Sequence, residues 1–380
     1  VSDLLRLRPV ATPEMIAVFD DDATIAHACA FEVALARAQA AHGLIPEAVA
    51  RAIAEGVAAT RIDPSMLADE AALAGTLAIP LVARLRATLT GEAAKALHRG
   101  ATSQDVADTV LMMQVRAAHR LVAGDGRRTW AALAGHATAH RATPAVGRTL
   151  LQDAMPVAFG LRLAQAAVGI ADVLEMLDEA VAQHGVIQLG GAAGTRAGLG
   201  GCGAAIARRV ADDMGLMTAP PWHARRTGVA AIGTSVAILI GALGKLARDV
   251  SLLAQNAVGE AQEPVIAGRG GSSAMAHKRN PTGCQVALSA ATRAPGLVAS
   301  LLAGLPQEQE RGLGGWQAEG PVLTELFLLA SGSAAAMAQV AEGLEIDTGA
   351  IVRNRDAAGM GEDMGESAAI IAELLGIEED

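Results

Sequence analysis

Apolar residues recur at helical spacing over most of the chain, in unusually long runs. Val106, Val110, Met113, Ala117 and Leu121 fall on one stripe, the spacing that stacks side chains on one face of an α-helix. The spacing predicts a nearly unbroken helix from Gln104 to about His140. Thr102 or Ser103 can cap it, and Asp105 and Asp108 sit in its positive first turn. Four more long helices are expected at about 156–184, 228–258, 281–304 and 321–344. Pro156, Pro281 and Pro321 stand at their first turns, where a missing N–H costs nothing. Ahead of these, medium helices are expected at about 22–42, 46–57 and 77–89, punctuated by Gly43, Pro46, Pro64 and Pro80. A glycine-rich loop (190–203) and a shorter helix (204–214) separate the second long helix from the third.

Five long helices with little strand signal predict an all-α fold: an elongated central bundle with smaller helical N- and C-terminal domains. The expected division is 1–103, 104–345 and 346–380. Helices of roughly 30 residues are roughly 45 Å long, and consecutive ones run antiparallel. The start of the first (Thr102, Ser103) then lies at one end of the bundle. The starts of the second (148–156) and fourth (272–281) lie at the other. For all three to serve one site, subunits must pack side by side in opposite directions. The expectation is an obligate homo-oligomer with shared sites, most simply a dihedral tetramer.

Composition agrees with helices: 52% of residues are hydrophobic, only 2% are aromatic, and there is no tyrosine. A formal net charge of -10 argues against nonspecific nucleic-acid binding, which needs a basic face. An anionic substrate therefore requires a locally positive pocket. Cys29, Cys202 and Cys284 are far apart and odd in number, so neither a disulfide framework nor a metal site is indicated, and a cytoplasmic setting is the expectation. The first ten residues lack the apolar core of a signal peptide. Thr227 to Gly244 carries no charge and borders on transmembrane length. Its glycines, and its continuation through Lys245, Arg248 and Asp249, read as the buried central helix of a bundle rather than as a membrane span.

Four clusters carry candidate chemistry. Gly271-Ser272-Ser273-Ala274-Met275-Ala276-His277-Lys278-Arg279-Asn280-Pro281 packs hydroxyls, an imidazole, two fixed cations and an amide ahead of a helix. Such a loop suits a small polyanion that gains or loses a proton. Near residue 100, His98, Thr102 and Ser103 surround a helix start whose free N–H groups bind carboxylates. Arg148 and Gln152 offer a bidentate guanidinium and an amide, although Asp153 is an alternative partner for the arginine. Arg311 follows the charge run Gln307 to Glu310. Gly198 to Gly203 matches G-x-G-x-x-G, but no strand precedes it and no βαβ pattern surrounds it, so no dinucleotide site is expected. His136 and His140 lie four apart without a carboxylate on that face, a core or surface pair rather than a zinc site.

These clusters, in this order, resemble the signature regions of the fumarase/aspartase superfamily. Gly271, Ser272, Ser273, Met275, Lys278, Asn280 and Pro281 match its serine loop, while Ala276 replaces the family proline. Within the superfamily the strings Gly100-Ala101-Thr102-Ser103-Gln104-Asp105, Gln188 to Thr195, Pro306 to Arg311 and Trp316 to Glu319 are most similar to the 3-carboxy-cis,cis-muconate cycloisomerases. Lyases of the superfamily carry a histidine after the Arg-Thr pair; here that position is Leu150, as in the cycloisomerases. The resemblance implies a cofactor-free, metal-free enzyme acting on a small polycarboxylate, with each site built from three subunits of a homotetramer. It further implies Ser272 as the proton-transfer group and Lys278 and Asn280 as holders of the carboxylate that becomes a dianion. His98, Thr102, Ser103, Ser273, Arg148, Gln152 and Arg311 are the implied substrate anchors, and His277 is a possible helper. Against that resemblance, the region after about 345 is expected to be shorter than in many relatives.

Overall fold

The computed structural model describes residues 4–272, 274–275 and 278–377. Its five long helices are Ser103–Ala139, Phe159–His184, Thr227–Leu253, Thr282–Ala303 and Gly315–Glu342. They bury a continuous apolar core in which Val106, Val110, Met112, Val115 and Val122 of the first are covered. The first helix packs on the second and the fifth, and the third on the second, fourth and fifth. The third helix, uncharged from Thr227 to Gly244, thus occupies the centre, as its composition indicates. Three long helices (the third, fourth and fifth) are apolar enough to cross a membrane by length and composition alone. The third and fifth bury 61% of their apolar windows inside the chain, and the fourth only 22%.

Medium helices Asp21–Ala41, Glu47–Ala59, Pro64–Ala74 and Ala78–Ala87 precede the bundle. Asp20 caps the first of these through the Ala23 N–H, and Asp63 accepts the Ser65 N–H ahead of Pro64. Short helices Thr348–Ala357 and Ser367–Leu375 follow the fifth long helix.

Two of the three first-turn prolines lie elsewhere. Pro156 is in a strand: Pro144–Thr149 and Gln152–Ala158 form an antiparallel hairpin in which Val146 faces Pro156 and Arg148 faces Asp153, with a bulge between Val146 and Arg148. A two-stranded ribbon leaves a strand edge free, which tolerates the missing N–H. Pro321 lies inside the fifth helix, which begins six residues earlier because the Gln317 side chain accepts the Gly314 N–H and anchors an extra turn. Pro281 is the residue just before the fourth helix. A second short pairing joins Ala261–Gln262 to Glu345–Ile346. The G-x-G-x-x-G stretch is a glycine turn leading into helix Gly203–Met214, and no strand feeds it. His136 Nε2 lies 3.0 Å from the Ala341 carbonyl and His140 Nδ1 3.2 Å from Thr143 Oγ1, so the pair serves packing.

Candidate active site

At one end of the bundle the first long helix starts beside the glycine-rich loop. Asp105, fully buried, accepts N–H bonds from Thr102 (3.0 Å), Gly190 (2.9 Å) and Gly191 (2.9 Å), and lies 2.8 Å from His223 Nε2. Four donors saturate one carboxylate, which offsets the cost of burying it and clamps the loop to the helix start. The Thr102 hydroxyl accepts from Arg311 Nη1 at 2.9 Å. Arg311 Nη2 donates to the Gly191 and Ala192 carbonyls at 3.1 and 2.9 Å. Arg311, 209 residues from Thr102, is thus built into the same corner. Ser103 occupies the first helical position. His98 adopts left-handed backbone (φ 62) with Nδ1 2.6 Å from Glu32 Oε1. Gly100, also left-handed, lies against Leu199, where a Cβ would meet Cδ2 at 2.4 Å.

Beneath this corner lies a buried charge network that the sequence did not reveal. Arg226 spans Asp108 with two 2.8 Å bonds and Glu319 with bonds from Nε and Nη2, and its guanidinium stands 4.6 Å from the Trp222 ring centroid. Two carboxylates share one cation. Burial pushes Glu319 above its ordinary range against the pull of Arg226, and the Asp108 charge adds to the rise.

The second and third clusters gather at the other end. Leu150 and Leu151 form the hairpin tip, both left-handed (φ 52 and 63) and 96% and 75% exposed. Arg148 Nη1 and Nη2 hold the two oxygens of Glu260 at 3.1 and 2.7 Å, and Nε lies 3.4 Å from Asp153. Glu260 is fully buried and also accepts from Asn354 at 2.9 Å, with Arg162 at 3.7 Å. Arg148 therefore already has carboxylate partners and ties the hairpin to the core. Gln152 is exposed beside the tip and bonds the Leu151 carbonyl at 3.3 Å.

In the serine loop, Ser272 Oγ accepts the Ala274 and Met275 N–H groups at 3.3 and 3.1 Å. Its proton remains available for donation. Lys278 is exposed. Asn280 donates to the Gly271 carbonyl at 3.2 Å and its N–H to the Gly270 carbonyl at 2.8 Å, closing the loop on itself. It does not cap the fourth helix. Glu263 does, accepting from Gly283 and Cys284 N–H at 3.0 and 2.6 Å. Arg279 is held by Glu345 at 3.1 Å and by the Glu263 carbonyl, which leaves Lys278 as the cation directed to solvent. Ser273 and His277, both candidates, lie outside the described residues. An open cleft of about 560 Å³ lies beside this loop, lined by Gly271, Asn280, Gln285 and Ser289.

Among the described residues, no hydrogen bond or ion pair joins the Thr102 corner to the Arg148 or Ser272 groups. The sequence singled out the residues in both halves, and Asp105 as a first-turn carboxylate, but missed the others that hold them: Glu32, His223, Glu260 and Glu263. Glu32 alone among them carried a local signal, a carboxylate between Phe31 and Val33 in an alanine-rich stretch.

Comparison with known proteins places the architecture. A family model described as Lyase matches residues 8–296. The 3-carboxy-cis,cis-muconate cycloisomerase of Bradyrhizobium diazoefficiens is 44% identical over 352 residues, 92% of this chain and 78% of the relative. The nitrosuccinate lyase of Streptomyces davaonensis is 40% identical over 388 residues, 99% of this chain and 81% of the relative. The crystal structure of 3-carboxy-cis,cis-muconate lactonizing enzyme from Pseudomonas putida superposes with a TM-score of 0.87 at 36% identity, covering 98% of this chain and 87% of that one. A five-helix bundle with a serine loop and the Thr102 helix start at opposite ends, matched over most of its length by such relatives, belongs to the fumarase/aspartase superfamily.

Proposed function

We propose that the chain is a 3-carboxy-cis,cis-muconate cycloisomerase that closes a muconate tricarboxylate to a carboxymuconolactone. The observation that carries this reading is the Thr102 corner. There a helix start, the Thr102 hydroxyl and Arg311 make a carboxylate receptor inside a chain of net charge -10. Similarity to cycloisomerases at 44% and 43% identity supports it, as does Leu150 where the superfamily lyases carry histidine.

In the proposed reaction one substrate carboxylate oxygen adds to a conjugated carbon and forms the lactone C–O bond. The displaced π pair moves into a neighbouring carboxylate and makes an aci-carboxylate dianion. Ser272 then delivers a proton to the α-carbon and is reprotonated from water, so that one proton is consumed per lactone formed. Lys278 and Asn280 steady the dianion, and preorganised charge of this kind outweighs the acid's own contribution of about 10²–10⁴-fold. Thr102, Ser103, Arg311, His98, Ser273 and Gln152 anchor the remaining carboxylates, with His277 as helper. Arg148 contributes by the face that Glu260 leaves free.

The site is completed by other copies of the chain in a homotetramer. Three features support this: the two half-sites stand at opposite ends, the Leu150-Leu151 tip is bare, and the fourth helix leaves most of its apolar window uncovered.

A second reading is elimination from a substituted succinate with release of fumarate, favoured by the match to nitrosuccinate lyase over nearly the whole chain. Incubation with 3-carboxy-cis,cis-muconate and, separately, with nitrosuccinate distinguishes them. Loss of the muconate ultraviolet band supports lactonisation, whereas fumarate release with the muconate left untouched replaces it.

A further inference from the structure

We propose that Glu32 is a positioning residue that holds His98 as an imidazolium beside the Thr102–Arg311 corner, adding a cation for the substrate polyanion. The inference rests on the polycarboxylate reading of that corner and assigns a role to a residue on a helix outside the bundle. Glu32 lies in the middle of the alanine-rich helix Asp21–Ala41 and is 1% exposed. A carboxylate there is retained only with compensation. Its Oε1 stands 2.6 Å from His98 Nδ1, within charge-assisted range, and its Oε2 has no hydrogen-bond partner among the described residues. His98 therefore supplies all the direct hydrogen bonding that Glu32 receives, and the charged pair serves a buried carboxylate better than a neutral imidazole does.

The backbone supports the same reading. His98 sits in the left-handed region, which a non-glycine residue occupies only where surroundings force it. A turn from the His98 carbonyl to the Ala101 N–H (3.3 Å) follows, and Gly100 packs it against the glycine loop. The imidazole is thus fixed against Glu32, close enough to Asp105 at the helix start to feel its charge. Burial lowers the affinity of His98 for its proton, but the Glu32 bond and charge, with Asp105, raise it further, and Arg86 opposes; the balance lies above the ordinary 6.5. With Glu32 anchoring Nδ1, Nε2 carries the second N–H of the imidazolium.

Glu32→Gln is isosteric and removes the charge. In the assembled enzyme it is expected to raise KM about ten- to a hundredfold, the size of a lost charge-assisted contact. kcat should fall far less, and the decline of kcat/KM with rising pH should move to lower pH. A direct readout needs no turnover: with ¹³C-labelled histidine, the His98 resonance (identified by its loss in His98→Asn, which tolerates the left-handed backbone) should titrate above 6.5 in the wild type and lower in Glu32→Gln. If wild-type protein ignores the muconate but His98 titrates high, the functional reading falls and the dyad stands. Unchanged KM, pH limb and His98 titration in Glu32→Gln would overturn the proposal. If that variant does not fold, the wild-type titration decides: a value at or below 6.5 overturns it.

Discussion

Among the described non-glycine residues, left-handed backbone is confined to a few, and these lie in or beside the candidate clusters. His98, Leu150, Leu151 and Gln309 are non-glycine residues with left-handed backbone, and each lies in a cluster carrying candidate chemistry; Arg196, the fifth among the described residues, lies in the glycine loop that clamps the Thr102 corner. Such conformations cost about 1–3 kcal/mol each and persist where the surroundings over-determine them. Ser272→Ala is expected to keep the fold and lower turnover at least about a hundredfold, checked by the muconate absorbance assay; near-normal rates would remove Ser272 from the mechanism. Glu319 gives a pH signature. Its folded proton affinity is raised above the ordinary 4.5, so its contribution favours the folded state at low pH and is withdrawn as pH rises from 4.5 through the raised value. Glu319→Gln should therefore flatten that part of the thermal-midpoint profile. Thiol chemistry is a third check. Burial, with Glu32 adding, pushes Cys29 up to about 11, and burial with Glu263 pushes Cys284 up as well. Iodoacetamide at pH 8 should modify both about a hundredfold more slowly than a free cysteine, because the thiolate is the nucleophile.

Helices were legible in the sequence because their apolar period is local. The predicted spans at 22–42, 104–140 and 281–304 correspond to Asp21–Ala41, Ser103–Ala139 and Thr282–Ala303. The hairpin was not legible. Its two-residue tip is Leu-Leu, without the asparagine or glycine that signals such a turn, and Pro156 imitated a helix start. Buried partners were invisible for a different reason: Glu32 meets His98 across 66 positions and Arg148 meets Glu260 across 112, and no local period encodes such pairings. The unfavourable tip yields a prediction at this scale. Replacing Leu150-Leu151 by Asn-Gly should stabilise the hairpin by about 1–2 kcal/mol through relief of left-handed strain. It should nevertheless weaken assembly, because two bare leucines that another copy would cover in the proposed tetramer are lost. Light scattering alongside thermal unfolding separates the effects, and a variant that assembles as well as the wild type would show that the leucines cover nothing.

On the scale of the whole molecule, the bundle's length separates what chemistry must unite. The first long helix alone has 37 residues, about 55 Å, and the Thr102 corner and serine loop are fixed to opposite ends by independent networks. Asp105, His223 and Arg311 hold one; Glu260 and Glu263 hold the other. In the proposed tetramer, antiparallel packing of copies would bring the ends together without either network changing, and would cover the apolar fourth helix at the same time. The most direct measurement is subunit mixing. Arg311→Ala and Ser272→Ala proteins, each inactive alone, are dissociated together in equal amounts and reassembled. Sites drawing these residues from different chains should regain about a quarter of wild-type turnover by random assortment. A reassembled mixture as inactive as its parents would contradict the shared site.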